Sequence, residues 1–172
     1  MKNSVLKFGI YSAISICIIS MLGWLLGKNL DFAAQEVIGY AGMIVSLLFV
    51  FFGIKQYRDQ ENNGVVTFGK ALLIGVLISL IAALAFGILD IIYIKYINPD
   101  FMEHYYTEMV SQMKASVPPE ELETKLAELE SQKKLFANPF MSFMLMALTV
   151  FTIGFMISLI SALILQRKPN HS

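Results

Sequence analysis

Residues 71–89 read ALLIGVLISLIAALAFGIL, nineteen in a row without a charge. A helix needs about 20 predominantly apolar residues to cross the ~30 Å hydrocarbon core of a bilayer, so this run is long enough to span. Its composition also carries a period. Ala71, Gly75, Ser79, Ala83 and Gly87 recur every fourth residue and form a ridge of small side chains along one helix face. Between helices in lipid the hydrophobic effect drives nothing, and small residues let backbones approach closely enough for van der Waals contact. The ridge therefore predicts a helix-packing face. Packing of this run and the last apolar segment within one four-helix bundle is the plainer reading, and pairing of two copies is the competing one. Gly154, Ser158 and Ala162, and also Gly42 and Ser46, continue the theme.

Working outward, three more apolar segments have spanning length: FGIYSAISICIISMLGWLL, VIGYAGMIVSLLFVFFGI and FMSFMLMALTVFTIGFMISLISALIL. Transmembrane helices are expected at about 8–26, 37–54, 71–92 and 140–165. They must be helices, because an open strand would leave backbone groups unpaired in hydrocarbon. Asn138 and Pro139 suit the start of the last one, since Asn accepts from free amides and Pro has no N–H to leave unpaired. The first segment is expected to remain uncleaved, because GWLLGKNLDF offers no small-residue cleavage site. No span is interrupted by Gly and Pro at matching places in two halves, as many transporters are.

Bulk composition agrees. The chain is 56% hydrophobic and 15% charged, with a mean hydropathy of +0.65, and a soluble chain of 172 residues cannot hide that much apolar surface. The fold class expected is all-α: a single integral membrane four-helix bundle over 1–172, with an extramembrane helical hairpin at about 99–137 between the third and fourth spans. In that hairpin Phe101, Met102, Tyr105, Tyr106, Met109 and Met113 recur at helical spacing, Pro118 and Pro119 break the chain, and PEELETKLAELESQKKLF restarts it. The net charge of zero gives no sign of nucleic-acid binding.

Basic residues set the orientation. Lys2 and Lys7, then Lys55, Arg58 and Lys70, then Arg167 and Lys168 cluster at one side, whereas the short connection after the first span has Lys28 alone. Both termini are therefore expected in the cytoplasm, the hairpin outside, and the whole as a multi-pass protein of the cytoplasmic (inner) membrane.

Two candidate sites follow. The connection from Phe51 to Ala71, FFGIKQYRDQENNGVVTFGKA, anchors topology, and its Lys55, Tyr57, Arg58 and Lys70 also have the chemistry to hold anionic lipid headgroups. Asn62-Asn63-Gly64 predicts a turn within it. Asp90 is the one acid placed within a span, where ionisable residues default to functional hypotheses; it is expected near the outer interface, as an interface anchor or as part of a transport pathway.

Enzyme signatures are absent: there is no P-loop, G-x-G-x-x-G, H-E-x-x-H or G-x-S-x-G. His104 and His171 are far apart and no ligand cluster surrounds them, so no metal or other cofactor is implied. Cys17 is the single cysteine, which precludes an intrachain disulfide.

Three stretches, IGYAGMIVSLLFVFFGIKQYRD, GVVTFGKALLIG and YIKYINPDFMEHY, resemble the uncharacterised DUF4199 family of bacterial membrane proteins. The resemblance spans nearly the whole chain and implies a four-helix inner-membrane protein of about this length. It implies no activity, cofactor or catalytic residue. The expected function is that of a non-enzymatic accessory, assembly or interaction protein. Its partners would be membrane lipids and another membrane protein, or further copies of itself. The alternative is a small transporter or channel-like oligomer with Asp90 in the pathway, and a membrane enzyme ranks last.

Overall fold

Asp31 and Asn138 show why two of the long helices begin where they do. The Asp31 carboxylate accepts a hydrogen bond from the Ala34 amide at 2.7 Å. Asn138 Oδ1 accepts from the amides of Phe140 and Met141 at 3.0 and 3.4 Å, while Pro139 occupies the position whose N–H would go unbonded. The computed structural model of the protein describes residues 1–27 and 30–167; Lys28, Lys168 and His171 lie outside them.

The helices in order are α1 (Lys2–Leu26), α2 (Phe32–Leu47), α3 (Phe49–Gln56), α4 (Phe68–Ile92), α5 (Phe101–Ser116), α6 (Pro119–Ala137) and α7 (Pro139–Leu165). Two five-residue π-helical turns, Tyr57–Glu61 and Tyr93–Ile97, extend α3 and α4. Four helical stretches are long and apolar enough to cross a membrane: Lys2–Leu26, Phe32–Glu61, Phe68–Ile97 and Pro139–Leu165. Among the described residues the β-type pairing is one isolated antiparallel bridge between Val66 and Arg167. The protein is an all-helical membrane protein.

The distribution of side chains is inverted relative to a water-soluble bundle. Leu26, Val37 and Ile164 are 78, 68 and 64% exposed, whereas seven of the eight buried polar residues among those described are serines. Branched aliphatics turned outward suit a solvent as apolar as they are, and small polar residues turned inward suit close helix contact.

The chain divides into two compact units, Met1–Phe86 with the chain from Ala147 onward, and Gly87–Met146. In the first, α1 packs along α2 and α3, and the first part of α4 meets the second part of α7 at a seam of glycine and serine. A Cβ at Gly75 would lie 2.6 Å from Ser158 Oγ, so only glycine permits the approach. Ser79 Oγ donates to Gly75 O (2.9 Å) and Ser158 Oγ to Gly154 O (2.6 Å), and the two hydroxyls lie 3.3 Å apart across the seam. Ala71, Ser79 and Ala83, on the same ridge of α4, are buried.

The second span is interrupted at Leu48, with no Gly or Pro at that position. Ser12 Oγ of α1 donates to the carbonyl of Ser46 at 2.8 Å, and Ser46 Oγ turns back onto Gly42 O. Leu48 N then bonds three residues back, to Val45 O at 3.3 Å. A hydroxyl from a neighbouring helix has taken a carbonyl of the ladder, a recognised cause of helix bending.

In the second unit α5 and α6 pack as an antiparallel hairpin. Leu129 is buried, Lys133 Nζ lies 4.4 Å above the Tyr106 ring, and Pro119 with Glu120 and Glu121 opens α6 as the dipole and Pro rules favour. The pairs Glu121–Lys125 and Glu130–Lys134 sit one turn apart on its surface.

Candidate functional site

The connection between α3 and α4 is a built joint. The π-turn Tyr57–Glu61 turns the Arg58 side chain inward, where the residue is only 8% exposed. Its guanidinium grips Asp59 with two bonds, Nε to Oδ1 at 2.6 Å and Nη2 to Oδ2 at 3.1 Å, and Nη1 reaches the Leu165 carbonyl at 3.4 Å. That carbonyl belongs to the last turn of α7, where carbonyls lack intrahelical partners and the helix dipole favours a cation. Next to it Val66 and Arg167 exchange two backbone bonds, at 3.1 and 2.8 Å.

The turn itself is closed by polar side chains. Tyr57, 4% exposed, donates its hydroxyl to Asn62 Oδ1 (3.2 Å), and Asn62 Nδ2 donates to Val65 O (2.6 Å). Asn63 takes a positive φ of 51° and Gly64 one of 80°, so the expected Asn-Asn-Gly turn is present and uses a conformation that glycine adopts without strain. Glu61 faces α1, accepting from Ser4 Oγ at 2.6 Å and from the Met1 ammonium.

Of the four residues expected to meet lipid headgroups here, Tyr57 and Arg58 are thus interior and Lys55 and Lys70 are exposed. Arg58 is drawn inside because a desolvated guanidinium needs several acceptors, and Asp59 with Leu165 O supplies them. The joint also gathers Lys2, Lys7 and Arg167, which in the sequence bear only on orientation. Lys7 Nζ donates to Gln56 Oε1 at 3.0 Å. Lys70 Nζ stands 5.5 Å from the Tyr57 ring. Lys55 and Arg167 lie close enough to act electrostatically on Asp59. Lys2, Lys7, Lys55, Lys70 and Arg167 are all exposed. Among the described residues none of the five forms an ion pair with a carboxylate, because Asp59 and Glu61 are already engaged. The arrangement is a cationic face whose own acids, Asp59 and Glu61, are already paired, and what it can do chemically is attract phosphate or another anion.

Asp90, in the second unit, accepts a hydrogen bond from Ser142 Oγ at 2.6 Å. Beside this pair Gly87 lies against Phe143, whose ring carbon Cδ2 would be 2.7 Å from a Cβ at that position. Past the end of α4, Asn98 Nδ2 donates to the Tyr93 hydroxyl at 3.1 Å, and the Tyr93 and Phe101 rings meet edge to face at 5.5 Å. The described residues bring no three His, Cys, Asp or Glu side chains together. A cleft of about 70 Å³ in the first unit is lined by Ser20, Gly23 and Trp24 of α1 and Gln35, Ile38 and Gly39 of α2, among others. It is too small for more than a few atoms of a ligand.

Comparison with family models finds a match over residues 7–167 to the family described as "Protein of unknown function (DUF4199)". Comparison with curated proteins and with solved structures finds no match.

Proposed function

The chain belongs to the DUF4199 family, and from that premise we propose that it is a non-enzymatic accessory or assembly protein of the bacterial inner membrane. Both termini would lie in the cytoplasm, and the α5–α6 hairpin, residues 101–137, would be exposed outside to contact another membrane protein. The observation that carries this reading is the use made of the interior. The serine hydroxyls at the α4–α7 seam are turned to carbonyls of their own helices and lie 3.3 Å from one another, and the glycines admit backbone contact. Polar groups lining a substrate path would be directed at the path; these are directed at packing.

The orientation rests on the lysines and arginine gathered at the joint. A second reading is favoured by one observation, the hydrogen bond from Ser142 on one spanning helix to Asp90 on another. It makes the protein a small transporter with that carboxylate in the pathway.

Native mass spectrometry of the protein, extracted gently from its own membrane, tests both. A second polypeptide at fixed stoichiometry is the expected result. A protein recovered alone or as a homo-oligomer, with flux in reconstituted vesicles that Asp90→Asn abolishes, would overturn the accessory reading.

A further inference from the structure

We infer that the face carrying Lys2, Lys7, Lys55, Lys70 and Arg167 is a binding site for anionic phospholipid headgroups. The inference is independent of the accessory reading and rests on three observations.

The first is charge that is left over. Arg58 is neutralised by Asp59, and Glu61 by the Met1 ammonium. The joint therefore holds two internal ion pairs and five exposed cations without a carboxylate of their own. A cluster of four to eight basic residues next to a membrane span is the sequence form of acidic-lipid recognition, and here the count survives after the acids have been assigned.

The second is position. Lys2 and Lys7 lie in the first turns of α1, Lys55 near the end of α3, Lys70 in the first turn of α4, and Arg167 just beyond α7. All five therefore mark helix ends. The 25 residues of α1 extend about 37 Å, longer than the ~30 Å hydrocarbon core, so such ends reach the headgroup layer. The phosphates there are fixed components of the surroundings, whereas a soluble phosphate would have to compete with them. This is what commits the site to lipid.

The third is restraint. Lys7 is held by Gln56 and lies 5.4 Å from the Phe8 ring, and Lys70 lies over Tyr57, which is itself tied to Asn62. Long ammonium side chains usually lose considerable rotamer freedom on binding. Aromatic and amide neighbours reduce that loss, leaving ammonium protons free to donate to phosphate oxygens.

The experiment uses the full chain in lipid nanodiscs of phosphatidylcholine with a minor fraction of phosphatidylglycerol, and native mass spectrometry counts the lipids retained on the protein. Phosphatidylglycerol is expected to be enriched over its share of the bilayer. Neutralising Lys7, Lys55 and Lys70 to Gln should reduce that affinity about fivefold per lysine at low salt. An equal loss of charge in the hairpin, Lys114, Lys125 and Lys134 to Gln, should leave the enrichment unchanged.

A thermal melt in neutral detergent checks that both triple variants fold. Should the joint variant not fold, single substitutions at Lys55 and Lys70 carry the same test. Equal enrichment in wild type and joint variant overturns the site, as does an equal loss in the hairpin variant. Displacement of the retained lipid by millimolar inorganic phosphate would show a site for soluble anion, and would overturn the assignment to lipid.

Discussion

At Gly154 a single methyl group is decisive. A Cβ there would sit 2.5 Å from both Cβ and Oγ of Ser79, and those atoms are backbone-anchored, so they cannot swing away as the tip of a long side chain would. Gly154→Val should therefore force α4 and α7 apart, at a cost of about 1–3 kcal/mol. Ser79→Ala, which removes one seam hydrogen bond without adding volume, should cost about 0.6 kcal/mol. Thermal or denaturant unfolding in detergent separates the two; equal effects would mean that the seam is held by hydrogen bonds and not by contact. At this scale the sequence shows its packing face openly, because every fourth residue of 71–87 is small. It does not show that Arg58 is interior. That depends on Leu165, 107 positions away, and a composition pattern holds no record of a contact so distant.

At the scale of the element the two π-turns share one device. Each starts with a buried tyrosine, Tyr57 or Tyr93, and is followed by an asparagine five residues on whose side chain bonds the tyrosine hydroxyl, at 3.2 and 3.1 Å. A π-turn bonds i to i+5 and is seldom stable unaided; a clasp of the same five-residue reach holds it closed. Asn98 reinforces its turn with its own amide, which bonds the Tyr93 carbonyl at 2.8 Å. Asn62→Ala and Asn98→Ala should each cost about 1 kcal/mol and raise amide hydrogen exchange within 57–66 or 93–98 respectively. Unchanged protection would show that the turns need no clasp.

These turns were not legible beforehand, since YRDQEN falls in the expected connection and YIKYIN reads as the plain continuation of a helix. The interruption at Leu48 was hidden for a related reason: its cause, the Ser12 hydroxyl, lies on another helix. The cap at Asn138 was legible. Asn138-Pro139 and the Asn-Asn-Gly turn rest on local chemistry, and local chemistry is what a sequence displays directly.

For the whole molecule, hydropathy over four segments was enough to read an all-helical membrane protein, because exposing leucine and isoleucine on this scale is stable only in lipid. Orientation is a further matter. Ser4 bonds Glu61 and Arg167 pairs with Val66, so the start of α1 and the end of α7 meet at the same joint. Cysteines placed at Lys2 and at Arg167 in a Cys17→Ser background should both resist a membrane-impermeant maleimide in intact cells, while one at Glu123 in α6 should react. Labelling at the first two positions and not the third would invert the topology.

The joint also bears on how the chain is made. Arg58 and Val66 emerge from the ribosome long before Leu165 and Arg167, the residues that complete their bonding. Through most of synthesis the connection between the second and third spans therefore carries an arginine one acceptor short and a backbone amide without its partner. Insertion of α7 supplies both at once. Helix α7 thus finishes a structure begun about a hundred residues earlier, and an intermediate stalled before it would present that open joint to whatever quality-control machinery patrols the membrane.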